Sequence, residues 1–220
     1  MGRAGFGARM KQIDARLVAA SPSVFNQIQE QGKLGGYELR SAERQLLVTN
    51  FFDTEEWDLL KGKAIMRLRR LGRACTLGLS IVARREEVTR VIEDLEEALP
   101  DGYPENINAV DGDIMGRIKT ISRSRDLLVV LTIESNRTII GVARNGEPRF
   151  EMVLNDVEFV GSRDQRRHFE MEIESTGGDA YELETLLGIL TSGFALQASA
   201  ETRFERGLRL MRAWPVGVKW

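Results

Sequence analysis

Hydrophobic and polar residues alternate with a period of two along several stretches of this 220-residue chain. This alternation predicts β-strands, because successive side chains of a strand point to opposite faces of the sheet. The alternating strands cover residues 12–17, 64–70, 117–125, 127–134, 138–143, 149–155 and 169–173. Residues 75–82 are small and apolar, which is consistent with one more strand. Asn145 and Gly146 favour a tight hairpin between two of these strands, because both tolerate a positive φ.

Apolar residues at helical spacing predict helices in four further segments. One begins at Ser21-Pro22, which is typical of a helix start, and the others cover residues 89–99, 180–190 and 200–211. Four acidic residues of the second segment are interpreted as its solvated face: Glu93, Asp94, Glu96 and Glu97.

Strands outnumber helices in this pattern, and no Gly-, Pro- or Ser-rich linker divides the chain. The prediction is therefore an α+β fold with an antiparallel sheet or a barrel. We expect one domain over residues 11–212, between a flexible N-terminus at 1–10 and a C-terminal tail at 213–220.

The composition excludes several classes of function. The chain has 31 Lys and Arg against 33 Asp and Glu, a formal net charge of −2, which argues against a basic nucleic-acid arm or a polybasic membrane anchor. No apolar run approaches the ~20 residues needed to cross a bilayer. The single Cys75 and the single His168 exclude an intramolecular disulfide and a multi-histidine metal site. We expect a cytoplasmic protein without nucleic-acid or membrane partners.

Charged residues occur in rows of one sign on the predicted strands. The rows are Arg67 with Arg69, then Lys119 with Arg123 and Arg125, and then Glu170 with Glu172 and Glu174. Like charges side by side on a strand repel. Each row therefore requires a ligand or a strand of opposite charge to neutralise it.

Two interpretations fit these rows. They are either solvated faces joined by cross-strand salt bridges, or inward faces of a barrel in which a basic wall meets an acidic wall. In the second case arginine would bind phosphate oxygens bidentately, and the carboxylates would hold Mg²⁺ or Mn²⁺. Residues 61–90 contain nine basic and two acidic residues, whereas residues 150–184 contain ten acidic and three basic ones. This separation favours a small polyanion with a metal cation as the partner.

Four segments, in order along the chain, resemble motifs of the CYTH domain, which defines the triphosphate tunnel metalloenzymes. Residues 51–54 (FFDT) and 60–69 (LKGKAIMRLR) are similar to its Y-F-D-T … L-x-x-x-x-x-A-L-R-x-R stretch. Residues 169–175 (FEMEIES) resemble its F-E-I-E-L-E-L strand, and residues 202–206 (TRFER) resemble its S-K-Y-x-R. The resemblance implies a closed antiparallel β-tunnel, generally of eight strands with helices outside. Such a tunnel binds a triphosphate between basic residues and metal-holding carboxylates.

The resemblance also implies roles for individual residues. The expected catalytic residues are Arg16 and Arg203. The expected phosphate ligands are Arg67, Arg69, Lys119, Arg123, Arg125 and Arg206. The expected ligands of Mg²⁺ or Mn²⁺ are Asp14, Glu170, Glu172 and Glu174.

Members of this family include class IV adenylate cyclases, thiamine triphosphatases and inorganic triphosphatases. The implied function is a metal-dependent triphosphatase, with inorganic triphosphate as the least demanding substrate because the sequence shows no clear base-recognition element. The alternatives are a catalytically silent module that binds triphosphate, polyphosphate or a nucleotide, and a class IV adenylate cyclase. A third alternative has no ligand and takes the charged rows as internal salt bridges. A homodimer is compatible with each of them.

The chain departs from the family pattern at several of these positions. Where the family has E-x-E-x-K and the aspartate of E-x-x-L-D, this chain has Gln12-x-Asp14-x-Arg16 and Asn155. A basic residue is usual in the family's T-x-K strand, but Thr76, Gly78 and Ser80 supply none here. Because Mg²⁺ affinity depends on carboxylate charge, we expect weaker metal binding unless Glu151 or Asp156 replaces a lost group.

Overall fold

The computed structural model describes residues 13–85, 88–100, 102–160 and 166–217. The side chains of residues 13–14, 83–85, 88–92 and 166 are outside this description, as are Gln12 and the N-terminal segment predicted to be flexible. The chain forms two compact units. The first unit contains residues 48–133 and 201–220, and the second contains residues 11–47 and 134–200.

The described residues form ten strands and five α-helices. In chain order these are β1 (Ile13–Ala19), α1 (Pro22–Gln31), β2 (Lys33–Leu34), β3 (Tyr37–Asp53), α2 (Asp58–Lys61), β4 (Ala64–Leu71), β5 (Ala74–Arg85), β6 (Val88–Leu99), α3 (Asp113–Ile121), β7 (Leu128–Arg144), β8 (Glu147–Val160), β9 (Arg166–Ser175), α4 (Ala180–Gly193), β10 (Leu196–Ala198) and α5 (Arg203–Leu210). The strand order is β10-β1-β9-β8-β7-β3-β4-β5-β6, and β2 pairs with β3. This mostly antiparallel sheet with several helices confirms the predicted α+β class, with ten strands instead of about eight.

In the second unit, the apolar core lies on one face of β1, β8 and β9. Seven buried residues of these strands belong to it: Leu17, Ala19, Phe150, Met152, Leu154, Met171 and Ile173. Helices α1 and α4 add Phe25 and Leu190 to the same cluster. Because side chains alternate along a strand, Arg16, Asn155 and Glu170 belong to the opposite face.

In the first unit, helix α3 covers one face of β4 and β5. Met115 and Ile118 of α3 share a buried cluster with Met66, Leu68, Leu77 and Leu79 of the two strands. Arg67 and Arg69 alternate with the apolar residues of β4, so they belong to the face that α3 does not cover.

Asp53, at the end of β3, anchors the connection that leads to β4. Its carboxylate accepts hydrogen bonds from the backbone N–H groups of Thr54, Leu59 and Leu60 at 2.8, 2.9 and 2.9 Å. Burial raises the pKa of Asp53, while these three hydrogen bonds oppose the increase. The aspartate of the FFDT motif therefore has a structural role, as a cap that fixes the turn before β4.

Several sequence predictions are confirmed. Asn145 and Gly146 join β7 to β8 with positive φ angles of 54° and 83°. The predicted strands at 12–17, 64–70, 75–82 and 169–173 correspond to β1, β4, β5 and β9, and the helices at Ser21-Pro22, 180–190 and 200–211 correspond to α1, α4 and α5. No helix among the described residues is long and apolar enough to span a bilayer.

Two predicted elements are wrong. Residues 89–99 form strand β6 instead of a helix, because they pair with β5 in a register that runs from Cys75 opposite Leu99 to Arg85 opposite Val88. Residues 117–125 are not a strand: they contain the end of α3 and a turn in which Arg123 and Ser124 have positive φ angles of 55° and 56°. The apolar spacing of Ile114, Ile118 and Ile121 favours the helix, since residues three or four apart share a helix face.

Candidate functional site

Arg67 of β4 is a buried cation in the first unit. It is only 7% exposed, and it belongs to the sheet face opposite α3. Its Nη2 atom donates to Asp94 Oδ1 at 2.7 Å, to Asp94 Oδ2 at 2.9 Å and to Glu96 Oε1 at 2.9 Å. Arg69 Nη1 donates to the same Glu96 oxygen at 2.8 Å. Strands β4 and β6 thus hold two arginines and two carboxylates in one network.

Strand β5 lies between β4 and β6, and its small residues leave room for Arg67 to reach the carboxylates of β6. Gly78 is opposite Arg67 on one side and opposite Glu96 on the other. A Cβ atom at Gly78 would lie 3.0 Å from Arg67 Nε, so the missing side chain makes room for the guanidinium to cross the strand. Ser80 Oγ accepts a hydrogen bond from Arg67 Nη1 and donates to Asp94 Oδ1 at 2.7 Å. The space beside Gly78 is therefore occupied by the side chain of Arg67.

The other acidic residues of β6 point to the α3 side. Glu93 Oε1 accepts from Arg117 Nη1 of α3 at 2.6 Å. The acidic run of residues 93–97 is therefore divided between two faces of the sheet, and only Asp94 and Glu96 contact Arg67.

In the second unit, two buried carboxylates of β9 lie beside an arginine of β1. Glu170 and Glu172 are 1% and 6% exposed. Arg16 is the register partner of Glu172; its Nη2 donates to Glu172 Oε1 at 3.3 Å, and its Nε lies 3.8 Å from Glu170 Oε1. Both carboxylates thus receive a counter-charge from the protein, which compensates part of the cost of burying them.

Two further polar residues complete this face. Asn155 of β8 is opposite Glu170 and fully buried, and its Nδ2 donates to Val153 O at 3.1 Å and to Glu172 Oε2 at 3.5 Å. Asn155 Oδ1 has no hydrogen-bond partner among the residues that the structure describes. His168 Nε2 lies 3.6 Å from Glu170 Oε2.

The oxygen atoms of Glu170, Glu172 and Asn155 are the type of ligand that a hard divalent cation prefers. Two carboxylates and an amide oxygen with no hydrogen-bond donor are the oxygen ligands that Mg²⁺ and Mn²⁺ accept. The donor set is low in charge, because Asn155 is neutral and Arg16 offsets part of the carboxylate charge. Within the described ranges, no three His, Cys, Asp or Glu side chains are grouped to hold a metal ion.

The remaining predicted metal ligands and their candidate replacements lie as follows. The side chain of Asp14 is outside the described residues. Glu174 is opposite Glu151 in the β8–β9 register. Asp156 belongs to the face opposite Asn155, and its Oδ1 accepts from Arg167 Nε at 3.2 Å. Asp156 therefore does not replace the aspartate expected at 155.

The predicted basic row of Lys119, Arg123 and Arg125 does not exist as a strand face. Lys119 is in the last turn of α3, and its Nζ donates to Asp111 Oδ1 at 3.1 Å. Arg125 Nη1 donates to Asp58 Oδ2 at 3.0 Å. The periodicity that motivated their phosphate role is therefore absent, and α3 lies on the sheet face opposite Arg67.

Arg203 and Arg206 both belong to α5, as predicted. Arg206 Nη2 lies 3.2 Å from Glu201 Oε2. Phe204, between them, packs on Phe51 with ring centroids 4.9 Å apart, so a ring contact fixes the helix on β3 within the first unit.

Sequence reasoning missed Asp94, Glu96 and Ser80 as partners of Arg67. The signal that could have found them is the alternation of residues 94 and 96, which share a face in a strand but not in a helix. It also missed His168 as a neighbour of Glu170, although both lie in the phase of Glu172 on one strand.

Three solved structures resemble this chain over most of its length. HpAC1 from Hippeastrum, a candidate adenylyl cyclase described as having a dominant triphosphatase activity, is 21% identical with a TM-score of 0.63, covering 87% of this chain and 93% of that chain. A candidate adenylate cyclase from Bacillus halodurans is 17% identical with a TM-score of 0.58, covering 89% and 97%. The PH1819 protein from Pyrococcus horikoshii OT3 is 15% identical with a TM-score of 0.52, covering 89% and 98%. At these identities the likeness shows a shared fold.

A model of the CYTH domain matches residues 26–207. Comparison with curated protein sequences gave no significant match. The matched range extends from α1 to α5, so it includes Arg67, Asp94, Glu170 and Glu172, whereas Arg16 precedes it.

Proposed function

This chain belongs to the CYTH domain family, and on that premise we propose that it binds the triphosphate group of a small polyanion and hydrolyses it with a divalent cation. The observation that carries this proposal is Arg67. The guanidinium of Arg67 is 7% exposed, and it lies next to Arg69 on the sheet face that α3 does not cover. Burying a charged group has a large desolvation penalty, so a contribution to stability alone does not account for it. Its planar set of donors suits phosphate oxygens.

Each unit, taken by itself, carries side chains of a kind that this function uses. Arg67 and Arg69 of the first unit bind and orient phosphate oxygens through charge-assisted hydrogen bonds. Glu170, Glu172 and Asn155 of the second unit would hold Mg²⁺ or Mn²⁺. A bound divalent cation would neutralise phosphate charge and polarise the phosphoryl group.

Arg16 has a different role from the lysine of the family signature. A guanidinium stays protonated near neutral pH, so Arg16 does not act as an acid or a base. It holds Glu170 and Glu172 in place and stabilises negative charge beside them. The other positions carried over from the family stay part of the proposal: Arg203 at catalysis, Arg206 on phosphate, and Asp14 and Glu174 on the metal. Lys119, Arg123 and Arg125 are no longer proposed as phosphate ligands, because they belong to α3 and the turn after it.

The neighbouring structures support the reaction class. HpAC1 has a dominant triphosphatase activity by its own description, and the family as a whole binds triphosphate compounds. Inorganic triphosphate is the proposed substrate because the residues assembled here recognise charge, and no base-recognition element stands out in the sequence.

A turnover assay tests the proposal. Purified protein is incubated with inorganic triphosphate, ATP or thiamine triphosphate in Mg²⁺ or Mn²⁺, and released phosphate and cyclic AMP are measured. Phosphate release from triphosphate is expected. Cyclic AMP from ATP would instead assign a class IV adenylate cyclase. A Glu172→Gln variant serves as the control for contaminating phosphatase, since contaminant activity would survive in it.

Two observations favour a second candidate, a catalytically silent binding module. Asn155 is neutral where the family has a carboxylate, and Arg16 already lies 3.3 Å from Glu172. Both features lower metal affinity. Under this alternative, triphosphate raises the melting temperature without any release of phosphate.

A further inference from the structure

Two nitrogens of the Arg67 guanidinium, Nη1 and Nη2, are engaged by side chains of its own unit, whereas Nε has no hydrogen-bond partner among the described residues. Nη2 lies within 2.7–2.9 Å of three carboxylate oxygens from Asp94 and Glu96, and Nη1 donates to Ser80. A carboxylate on an arginine has nearly the geometry of a phosphate on an arginine, with N–H groups directed at two negative oxygens. A phosphate group that reaches Arg67 therefore finds its Nη2 atom already hydrogen-bonded to carboxylates.

The two sides of this network differ in exposure. The side chain of Arg67 is 8% exposed, whereas those of Asp94 and Glu96 are 37% and 41% exposed. The guanidinium is held in the groove above Gly78, while the carboxylates have water next to them. Asp94 and Glu96 can therefore rotate into solvent and be hydrated, whereas Arg67 stays in place.

The network is also neutral as a set. Arg67 and Arg69 bring two positive charges, and Asp94 and Glu96 bring two negative charges. Arg67 is hydrogen-bonded to both carboxylates, and Arg69 is hydrogen-bonded to Glu96. A set of side chains whose charges cancel exerts little attraction on an approaching anion. Removing one of these carboxylates gives the face a net positive charge without changing either arginine.

We infer that Asp94 and Glu96 compete with the ligand for Arg67, so that a polyphosphate binds the first unit by displacing them. This inference rests on the proposed triphosphate binding and adds what sets its affinity. A ligand with several contiguous negative charges displaces the carboxylates, whereas inorganic phosphate, with one phosphoryl group, gains too little to do so.

The test is a titration of metal-free inorganic triphosphate, with EDTA present and ionic strength fixed, into the wild type and three variants by calorimetry. Asp94→Asn removes the bidentate competitor and should tighten binding about tenfold, the size expected from one charge-assisted hydrogen bond. Glu96→Gln should tighten it by a smaller factor, because Asp94 still occupies Nη2. Glu93→Gln is the matched control: it removes the same charge from the same strand on the face toward Arg117, and should leave the affinity within about twofold.

Two measurements separate the outcomes. Without ligand, Asp94→Asn should melt at a lower temperature than the wild type, since it leaves Arg67 less well paired, and its melting temperature should rise further on addition of triphosphate. If Asp94→Asn does not fold, Glu96→Gln decides the question alone.

Three results would contradict the account in different ways. Unchanged or weaker binding by the folded Asp94→Asn or Glu96→Gln variants, with normal binding by the wild type, would overturn the competition and leave the carboxylates as positioning groups for Arg67. Equal tightening by Glu93→Gln would replace the specific contact with a general charge effect, and would also overturn it. Failure of every protein to bind triphosphate, both in EDTA and when Mg²⁺ replaces EDTA, would remove the proposed function and, with it, this inference.

Discussion

Arg16 and Glu172 are opposite each other in β1 and β9, and Arg16 Nη2 lies 3.3 Å from Glu172 Oε1. The family has a lysine in the corresponding signature, whereas here a guanidinium spans two buried carboxylates. This pairing makes Arg16 part of the structure of the site and not only a contact for a ligand.

Substitution of Arg16 by alanine should destabilise the protein. Glu170 and Glu172 would remain buried without the counter-charge of Arg16. Breaking a buried pair from one side costs about 3 kcal/mol. Urea denaturation measures the free energy of unfolding. The Arg16→Lys variant is the control, because it keeps a cation in place and should lose much less stability. Equal stability of Arg16→Ala and the wild type would show that the ion pair is not formed.

Substitution of Asn155 by aspartate should raise the affinity for Mg²⁺ and Mn²⁺. A third carboxylate opposite Glu170 adds a charged ligand on the same face, and we expect tightening of about tenfold or more. Calorimetric titration of Mn²⁺ into the ligand-free protein measures it. The metal-free variant should melt at a lower temperature than the wild type, because like charges are then buried together.

The Asp156→Asn variant is the matched control for this experiment. Asp156 is the next residue along β8, on the opposite face, where it binds Arg167. Its loss should leave Mn²⁺ affinity unchanged. A larger effect at 156 than at 155 would place the metal on the other face of the sheet and contradict the assignment.

Loss of Arg125 should change the acid stability of the turn that precedes β4. Burial alone would raise the pKa of Asp58, but the hydrogen bond from Thr54 and the charge of Arg125 lower it below its usual value. A lowered carboxyl pKa contributes stability above the unfolded-state pKa, and this stability is lost as the pH falls through the folded-state value. Arg125→Ala should therefore raise the pKa of Asp58 and lower stability at neutral pH, with the difference disappearing in strong acid.

An NMR titration of the Asp58 carboxyl measures this shift directly. Arg123→Ala is the comparison, because Arg123 acts on Asp58 through charge alone and should give a smaller shift. An unchanged pKa in Arg125→Ala would show that the ion pair at 3.0 Å does not persist in solution.

The strands that carry Arg67 and Glu170 could be predicted from sequence because their alternation is unambiguous. Arg67 and Arg69 alternate with Met66 and Leu68, and Glu170 and Glu172 alternate with Met171. Burial of the apolar phase fixes which face is charged, since a slip by one residue would expose the core. The hairpin at Asn145 was predictable for a local reason, namely its turn chemistry.

The partners of Arg67 could not be predicted in the same way. The acidic residues 93–97 and their apolar neighbours fit a helical period as well as a strand, and only the pairing of β6 with β5 decides between them. Once the segment is a strand, Asp94 and Glu96 lie across β5 from Arg67. The charge separation noted between residues 61–90 and 150–184 also ends just before this acidic segment, so it omitted the nearest counter-charges.

The measurement that tests the central claim most directly is a calorimetric titration of inorganic triphosphate into the wild type, Arg67→Ala and Arg117→Ala. Arg117 is the matched control, because it pairs with Glu93 of the same strand β6 on the opposite face. The account predicts that Arg67→Ala loses binding by more than about tenfold and loses the ligand-induced rise in melting temperature, while Arg117→Ala keeps both. Normal triphosphate binding by folded Arg67→Ala would contradict it.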